Sequence, residues 1–245
     1  MRTRVLISLA AAVFILGANG AAHARRVSNH VSYSLTRAWA GFVERADGRA
    51  FTGVRATWTL PRIVCNQPSS SVAFWVGLGG ATSSSRALEQ IGTTVDCSDR
   101  AAVSYSAWYE AYPARAVDLP LVVRRGDTVT AEVRVAGKRV AVTLVNDSTG
   151  VSFAKHFTMP APEADSAEWI AEAPSSCVYP LCAPLPLAHF GRVTFVSATA
   201  TVLGQNHPLA DPRLQTQLVA VARRGRIAAR PVAPRPLLSA GSVLG

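Results

Sequence analysis

The chain has 245 residues, of which 49% are hydrophobic and 16% charged, and its 25 Lys and Arg outnumber 15 Asp and Glu to give a formal charge of +10. This length suits a single large β domain with a sizeable core. The positive balance would suit nucleic acid or an anionic envelope surface. Aromatic residues do not interleave with the arginines, however, and the chain reads as exported, so solvated charge is preferred and nucleic acid is not expected as a partner.

The N-terminus carries a basic region at Arg2 and Arg4, an apolar run from Val5 to Gly17 and the small-x-small pattern Ala22-His23-Ala24. That order is a secretory signal peptide over residues 1–24. The apolar run is short of the ~20 residues that an uncleaved span needs, and no later segment is long and apolar enough to cross a bilayer. A secreted or periplasmic monomer is the expectation, without stable membrane insertion. Residues 25–37 are assigned to a short N-terminal segment.

Strands are expected over Val54–Leu60, Val72–Leu78, Val103–Tyr112, Ala167–Glu172, Arg192–Val202 and Gln215–Ala222. The clearest pattern lies between them. In DTVTAEVRVAGKRVAVTLVNDSTGVSFAKHF, Val129, Ala131, Val133 and Val135 share one face and Thr128, Thr130, Glu132 and Arg134 the other, with turns at Ala136-Gly137-Lys138 and Asn146–Gly150. This alternation is a β-meander. Many short strands at such spacing predict an all-β, two-sheet sandwich. Asn146-Asp147-Ser148 matches a glycosylation sequon, but the hairpin turn accounts for it. Residues 223–245, rich in Arg, Pro and Ala, are read as a basic segment that adds one edge strand or is partly disordered.

The four cysteines, Cys65, Cys97, Cys177 and Cys182, suit an oxidising compartment. Three pairings are possible. The short loop between Cys177 and Cys182 reads as a local staple, which leaves Cys65 with Cys97. Neither a Cys-x-x-Cys pair nor clustered histidines support zinc, so no metal or cofactor is expected.

A sandwich says little about function, so the site must carry it. There is no Gly-x-Ser-x-Gly elbow and no His-Glu-x-x-His motif. His156 and His189 have no evident orienting acid or nucleophile and read as surface or satisfied strand histidines. Paired Asp-Thr/Ser-Gly loops, which an aspartic peptidase needs for two carboxylates sharing a proton, are missing as well. What remains is a set of aromatic and acidic strands: Trp75 in AFWVGLGG, Gln90 in LEQIGTTVDC, Ser106, Trp108, Glu110 and Tyr112 on one face of YSAWYEAYP, and Glu168 and Glu172 on one face of SAEWIAEAP. Spacing alone leaves three readings open: a catalytic site, a groove binding glycan or peptide without catalysis, and a polar, solvent-facing sheet.

Four segments in order, WVGLGG, ALEQIG, YSAWYEAYP and AEWIAEAP, resemble the glutamic peptidase (eqolisin) family, and most closely its bacterial members. FTGVRATWTLP before them and PLAHFGRVTF after them extend the resemblance over roughly Ala38 to Ala200; the sandwich is assigned to residues 38–222. The resemblance implies a concanavalin A-like sandwich of two curved antiparallel sheets, with polypeptide substrate in the concave groove. It implies Gln90 and Glu172 as the catalytic pair, Trp75 and Trp108 lining the cleft, and Glu110 and Glu168 as supporting carboxylates; a solvent-contacting rim position is the alternative for Glu168. Trp169 and Ala171 would then pack between the sheets. Where fungal members carry acids in two of these motifs, this sequence has Gly79 and Ser106. Fewer carboxylates push the pKa of Glu172 up less, which places a very acidic working range in question.

Overall fold

The computed structural model describes residues 31–65, 67–100, 102–178, 181–235 and 238–245, with Cys177, Val178 and Leu181 described by backbone alone. The segment read as a signal peptide lies outside the described residues. In chain order the strands are β1 (Ser32–Thr36), β2 (Trp39–Arg45), β3 (Phe51–Thr59), β4 (Ser71–Gly79), β5 (Leu88–Cys97), β6 (Val103–Tyr112), β7 (Val117–Asp118), β8 (Thr128–Ala136) and β9 (Arg139–Asn146). They continue as β10 (Val151–Thr158), β11 (Ser166–Glu172), β12 (Ser175–Val178), β13 (Leu181–Pro184), β14 (Arg192–Val202), β15 (Gln205–Pro208), β16 (Gln215–Arg223), β17 (Arg226–Pro231) and β18 (Gly241–Leu244). No α-helix occurs among the described residues, and so none that is long and apolar enough to cross a membrane.

One layer runs β7-β6-β5-β4-β11-β2-β16, with β1 parallel on β16; the other runs β10-β9-β8-β3-β14, with β15 on β14. Apart from β1, the pairings are antiparallel, and β17 and β18 tie β16 of one layer to β14 of the other. The C-terminal segment thus connects the two sheets.

Alternation of side chains along each strand decides what lies between the layers. Phe42, Trp58, Phe74, Ile91, Leu144, Trp169 and Phe195 are buried there together, and Trp169 Nε1 donates to the Arg55 carbonyl at 3.0 Å. Truncating a buried aromatic of this kind typically costs about 3–5 kcal/mol. The opposite face of β4 and its neighbours has its own smaller apolar cluster, Val43, Ala73, Trp75, Leu88, Trp108, Ile170 and Val219. Every residue of β4 is buried as a result, which explains why its sequence is a continuous apolar run without alternation.

Cys65 and Cys97 form a disulfide that ties the approach to β4 to the end of β5. Cys177 and Cys182 lie directly opposite each other on the β12–β13 hairpin; the pairing expected there involves the Cys177 side chain, which lies outside the described ones. Asn146 is fully buried and donates to the Val122 carbonyl and to Asp127, so its amide holds the turn. His156 and His189 are both exposed.

Candidate active site

Strand register places the motif residues in three adjacent rows across one face of the first sheet. The first row reads Glu110, Gln90, Gly77, Glu168, Val43. The second reads Asp118, Trp108, Gly92, Trp75, Ile170, and the third Ser106, Thr94, Ala73, Glu172, Trp39. Gln90 and Glu172 therefore sit diagonally on either side of Trp75. Both open on a cleft of about 720 Å³ that is also lined by Trp39, Thr94, Trp108 and Glu110.

Glycine makes this arrangement possible. A Cβ on Gly92 would lie 2.3 Å from the Phe74 carbonyl oxygen and 2.5 Å from Trp75 Cβ; on Gly77 it would lie 3.0 Å from the Trp75 ring. The indole of Trp75 uses the room those two residues leave on the same face. It is completely buried, packs edge-on against Trp39 with ring centroids 4.9 Å apart, and donates Nε1–H to Glu172 Oε2 at 2.8 Å. Trp75 is thus a support beneath the cleft, where the resemblance implied a cleft lining. Trp108 does line the cleft, and its Nε1–H is fixed by Thr94 Oγ1 at 2.7 Å.

Burial raises the Glu172 carboxyl from 4.5 to about 7, against the opposing effect of the Trp75 and Trp39 indoles and with a smaller push from the Glu110 charge. Gln90 Nε2 donates to Glu110 Oε2 at 2.5 Å, and its Oε1 is buried without a protein partner. Burial also raises Glu110, offset in part by that amide. The arrangement offers a carboxyl able to exchange a proton near neutrality, together with an amide that has one N–H and its oxygen uncommitted. Asp96, Glu110, Asp118 and Glu172 line the cleft, and among the described residues no Lys, Arg or His does, in a chain of strongly positive charge.

Glu168 departs from expectation. It shares a face with Glu172, yet it is fully buried and neither carboxylate oxygen has a hydrogen-bond partner. Burial holds it well above the usual range; Ser166 and Arg45 oppose this, and Asp165 and Glu89 add to it. It is neither a rim carboxylate nor part of the cleft lining. Sequence reasoning missed Trp39 and Thr94 at the site, and two further buried acids, Glu44 and Glu89, each raised by burial to about 8. The signal for those acids was parity: Glu44 alternates with Phe42, and Glu89 with Ile91, on the core side of their strands.

The sequence matches the family model described as the Peptidase A4 family over residues 37–222. The chain belongs to the peptidase A4 family, the glutamic peptidases. Aspergillopepsin-2 of Aspergillus niger is 31% identical over 189 residues, which cover 66% of this chain and 64% of that protein, so the chain spans less than two thirds of that relative's length. Scytalido-glutamic peptidase, solved with a transition state analog inhibitor, shares the fold at a TM-score of 0.73 and 24% identity over 85% of this chain and 98% of that one. Aspergilloglutamic peptidase from Aspergillus niger aligns at a TM-score of 0.60 and 27% identity, covering 71% of this chain and 98% of that one. The two relatives from Aspergillus niger are fungal.

Proposed function

We propose that this peptidase A4 protein is an exported, monomeric endopeptidase that cleaves polypeptides with water activated between Gln90 and Glu172. The observation that carries the proposal is the pairing of a carboxyl held near 7 with an amide whose oxygen is buried and unpartnered, both on one cleft. Ionised Glu172 takes a proton from water as the water attacks the scissile carbonyl, and then returns it to the leaving amine; a base is most effective when its pKa lies near the working pH. Gln90 accepts a hydrogen bond from the same water through Oε1. Its free N–H donates to the developing oxyanion, while Glu110 fixes the amide from the other side. Trp108 contacts substrate, and Trp75 sets the position and proton affinity of Glu172.

A base of this pKa works in mildly acidic to neutral conditions. Gly79 and Ser106, which stand where the fungal motifs carry acids, favour the nearer kinship to bacterial members, while the raised Glu172 pKa comes chiefly from burial. The Cys65–Cys97 disulfide supports an oxidising, extracytoplasmic setting. The test is digestion of denatured casein across about pH 3–8, where a carboxyl–amide pair of this kind carries the reaction. Fragments should appear with wild type, persist with pepstatin and EDTA, and disappear with Gln90→Ala, since one lost oxyanion donor typically costs about 10²–10³ in rate. Inhibition by EDTA, or an active Gln90→Ala, would refute the proposal.

A further inference from the structure

At the Trp39 end of the cleft, four arginines converge from separate parts of the chain. Arg37 lies in the bend between β1 and β2; Arg223, Arg224 and Arg226 surround the β16–β17 turn. Arg223 and Arg226 are direct cross-strand partners, an arrangement in which like charges destabilise a sheet. Arg224 and Gly225 hold the apex at φ +49° and +75°. Arg223 Nη2 donates to the Arg37 carbonyl at 3.5 Å, and burial together with the Arg37 charge lowers its pKa. Among the described residues no carboxylate pairs with any of the four, and the sequence has no acid after Asp211. Arg37, Arg224 and Arg226 are exposed. The fold therefore concentrates unneutralised guanidinium groups at a cost in stability.

Their position relates them to the cleft. The Ala38 carbonyl, next to Arg37, accepts a 2.9 Å hydrogen bond from the amide of Ala173, the residue that follows Glu172. Trp39 lines the cleft and is the register partner of Glu172. A peptide leaving the acidic cleft beside Trp39 would run toward Arg37, two residues away in the chain, and toward Arg223, which bonds the Arg37 carbonyl. We infer that this Arg37–Arg223–Arg224–Arg226 surface is an extended subsite that takes Asp or Glu side chains of the polypeptide substrate, a few residues from the scissile bond. Guanidinium forks match carboxylates in two-point geometry, and such side chains are ionised above about pH 4–5. The inference rests on the peptidase reading for its substrate, but the surface can be tested without turnover.

Two fluorescent peptides with one scissile core, carrying either an acidic or an amide (Asn/Gln) flank, provide the test at about pH 6, where Asp and Glu are charged. Wild type should cleave the acidic-flank peptide with kcat/KM about three- to tenfold higher, the scale of a few exposed charge pairs. The gain should reside in KM and vanish near 1 M salt, where the Debye length falls to about 3 Å. Arg224→Gln/Arg226→Gln should lose the preference and cleave the amide-flank peptide as wild type does. Anisotropy with Glu172→Gln protein measures the same difference as binding, so a failure of catalysis would leave this inference standing or falling by itself. Equal affinity for the two peptides, or a preference retained by the double variant, would overturn it. Arginine-dependent binding to phosphatidylglycerol vesicles or single-stranded DNA, with no difference between the peptides, would also overturn it.

Discussion

At the residue scale, Glu172 and Glu168 show how one face of one strand gives two carboxyls different roles. They share parity on β11, so the sequence treats them alike. Glu172 faces the cleft and accepts the Trp75 indole N–H; Glu168 sits in the row of Gly77 and Val43, closed off from solvent. What covers a position depends on distant loops, which local alternation does not encode. The same limit applies to Trp75, whose burial depends on Gly92 across the sheet on β5 as well as on Gly77 of its own strand. Trp75→Phe tests its role. Removing the indole donor should raise the Glu172 pKa further, so the rising limb of kcat/KM against pH should move up by about one unit, given about 1.5–3 kcal/mol for a hydrogen bond to a charged group. A reduced rate with an unmoved limb would assign Trp75 to packing alone.

At the scale of elements, β8 and β9 were legible because their alternation is undisturbed, and β4 because it is a continuous apolar run; β14 was expected as one strand, although a bulge near Ser197 interrupts its alternation. The tie made by β17 and β18 was not legible, since a stretch rich in Arg, Pro and Ala carries no such period. The role of Gly92 on β5 was hidden as well: it depends on Trp75 across the sheet. Gly92→Ala places a methyl group against the Phe74 carbonyl and the Trp75 backbone and should cost about 1–3 kcal/mol as overpacking. Displacement of Trp75 should lower kcat more than it raises KM, which steady-state kinetics on folded protein would resolve. The β4–β5 hairpin is also held at its far end by Cys65–Cys97, a bridge spanning 32 residues in sequence. Closing such a loop is worth about 3–4 kcal/mol by the chain-entropy account. Cys65→Ser/Cys97→Ser should therefore shift the denaturant midpoint down at unchanged pH.

At the scale of the whole molecule, buried acids set the pH range in which the fold persists. Glu44 and Glu89 have folded pKa values of about 8 against 4.5 in the open chain, in each case chiefly through burial. Between those values the unfolded chain has given up protons that the folded protein retains, so stability falls as pH rises from about 4.5 to 8. Glu168 adds to this trend. Asp211 acts in the opposite direction: Arg213 holds it at about 2 against 3.8, so its contribution is lost as pH falls through that interval. Thermal unfolding should therefore give a maximal Tm near the upper end of the Asp211 window, declining toward pH 8. Glu168→Gln should leave activity near pH 5 almost unchanged and raise Tm near pH 8 by about 2 °C or more. A Tm that climbs steadily from pH 4 to pH 8 would show that these carboxyls ionise without penalty.

If Glu172 is the proton-transferring group of a peptidase, its isosteric replacement by Gln should abolish cleavage without unfolding the protein. Purified Glu172→Gln and wild-type protein should be compared on denatured casein across the wild-type pH profile, with circular dichroism to establish that both are folded. The folded variant should lose activity by about 10³-fold or more at every pH, within the range of about 10²–10⁴ that a positioned proton-transfer group typically supplies. Near-wild-type cleavage with an unchanged pH profile would contradict it.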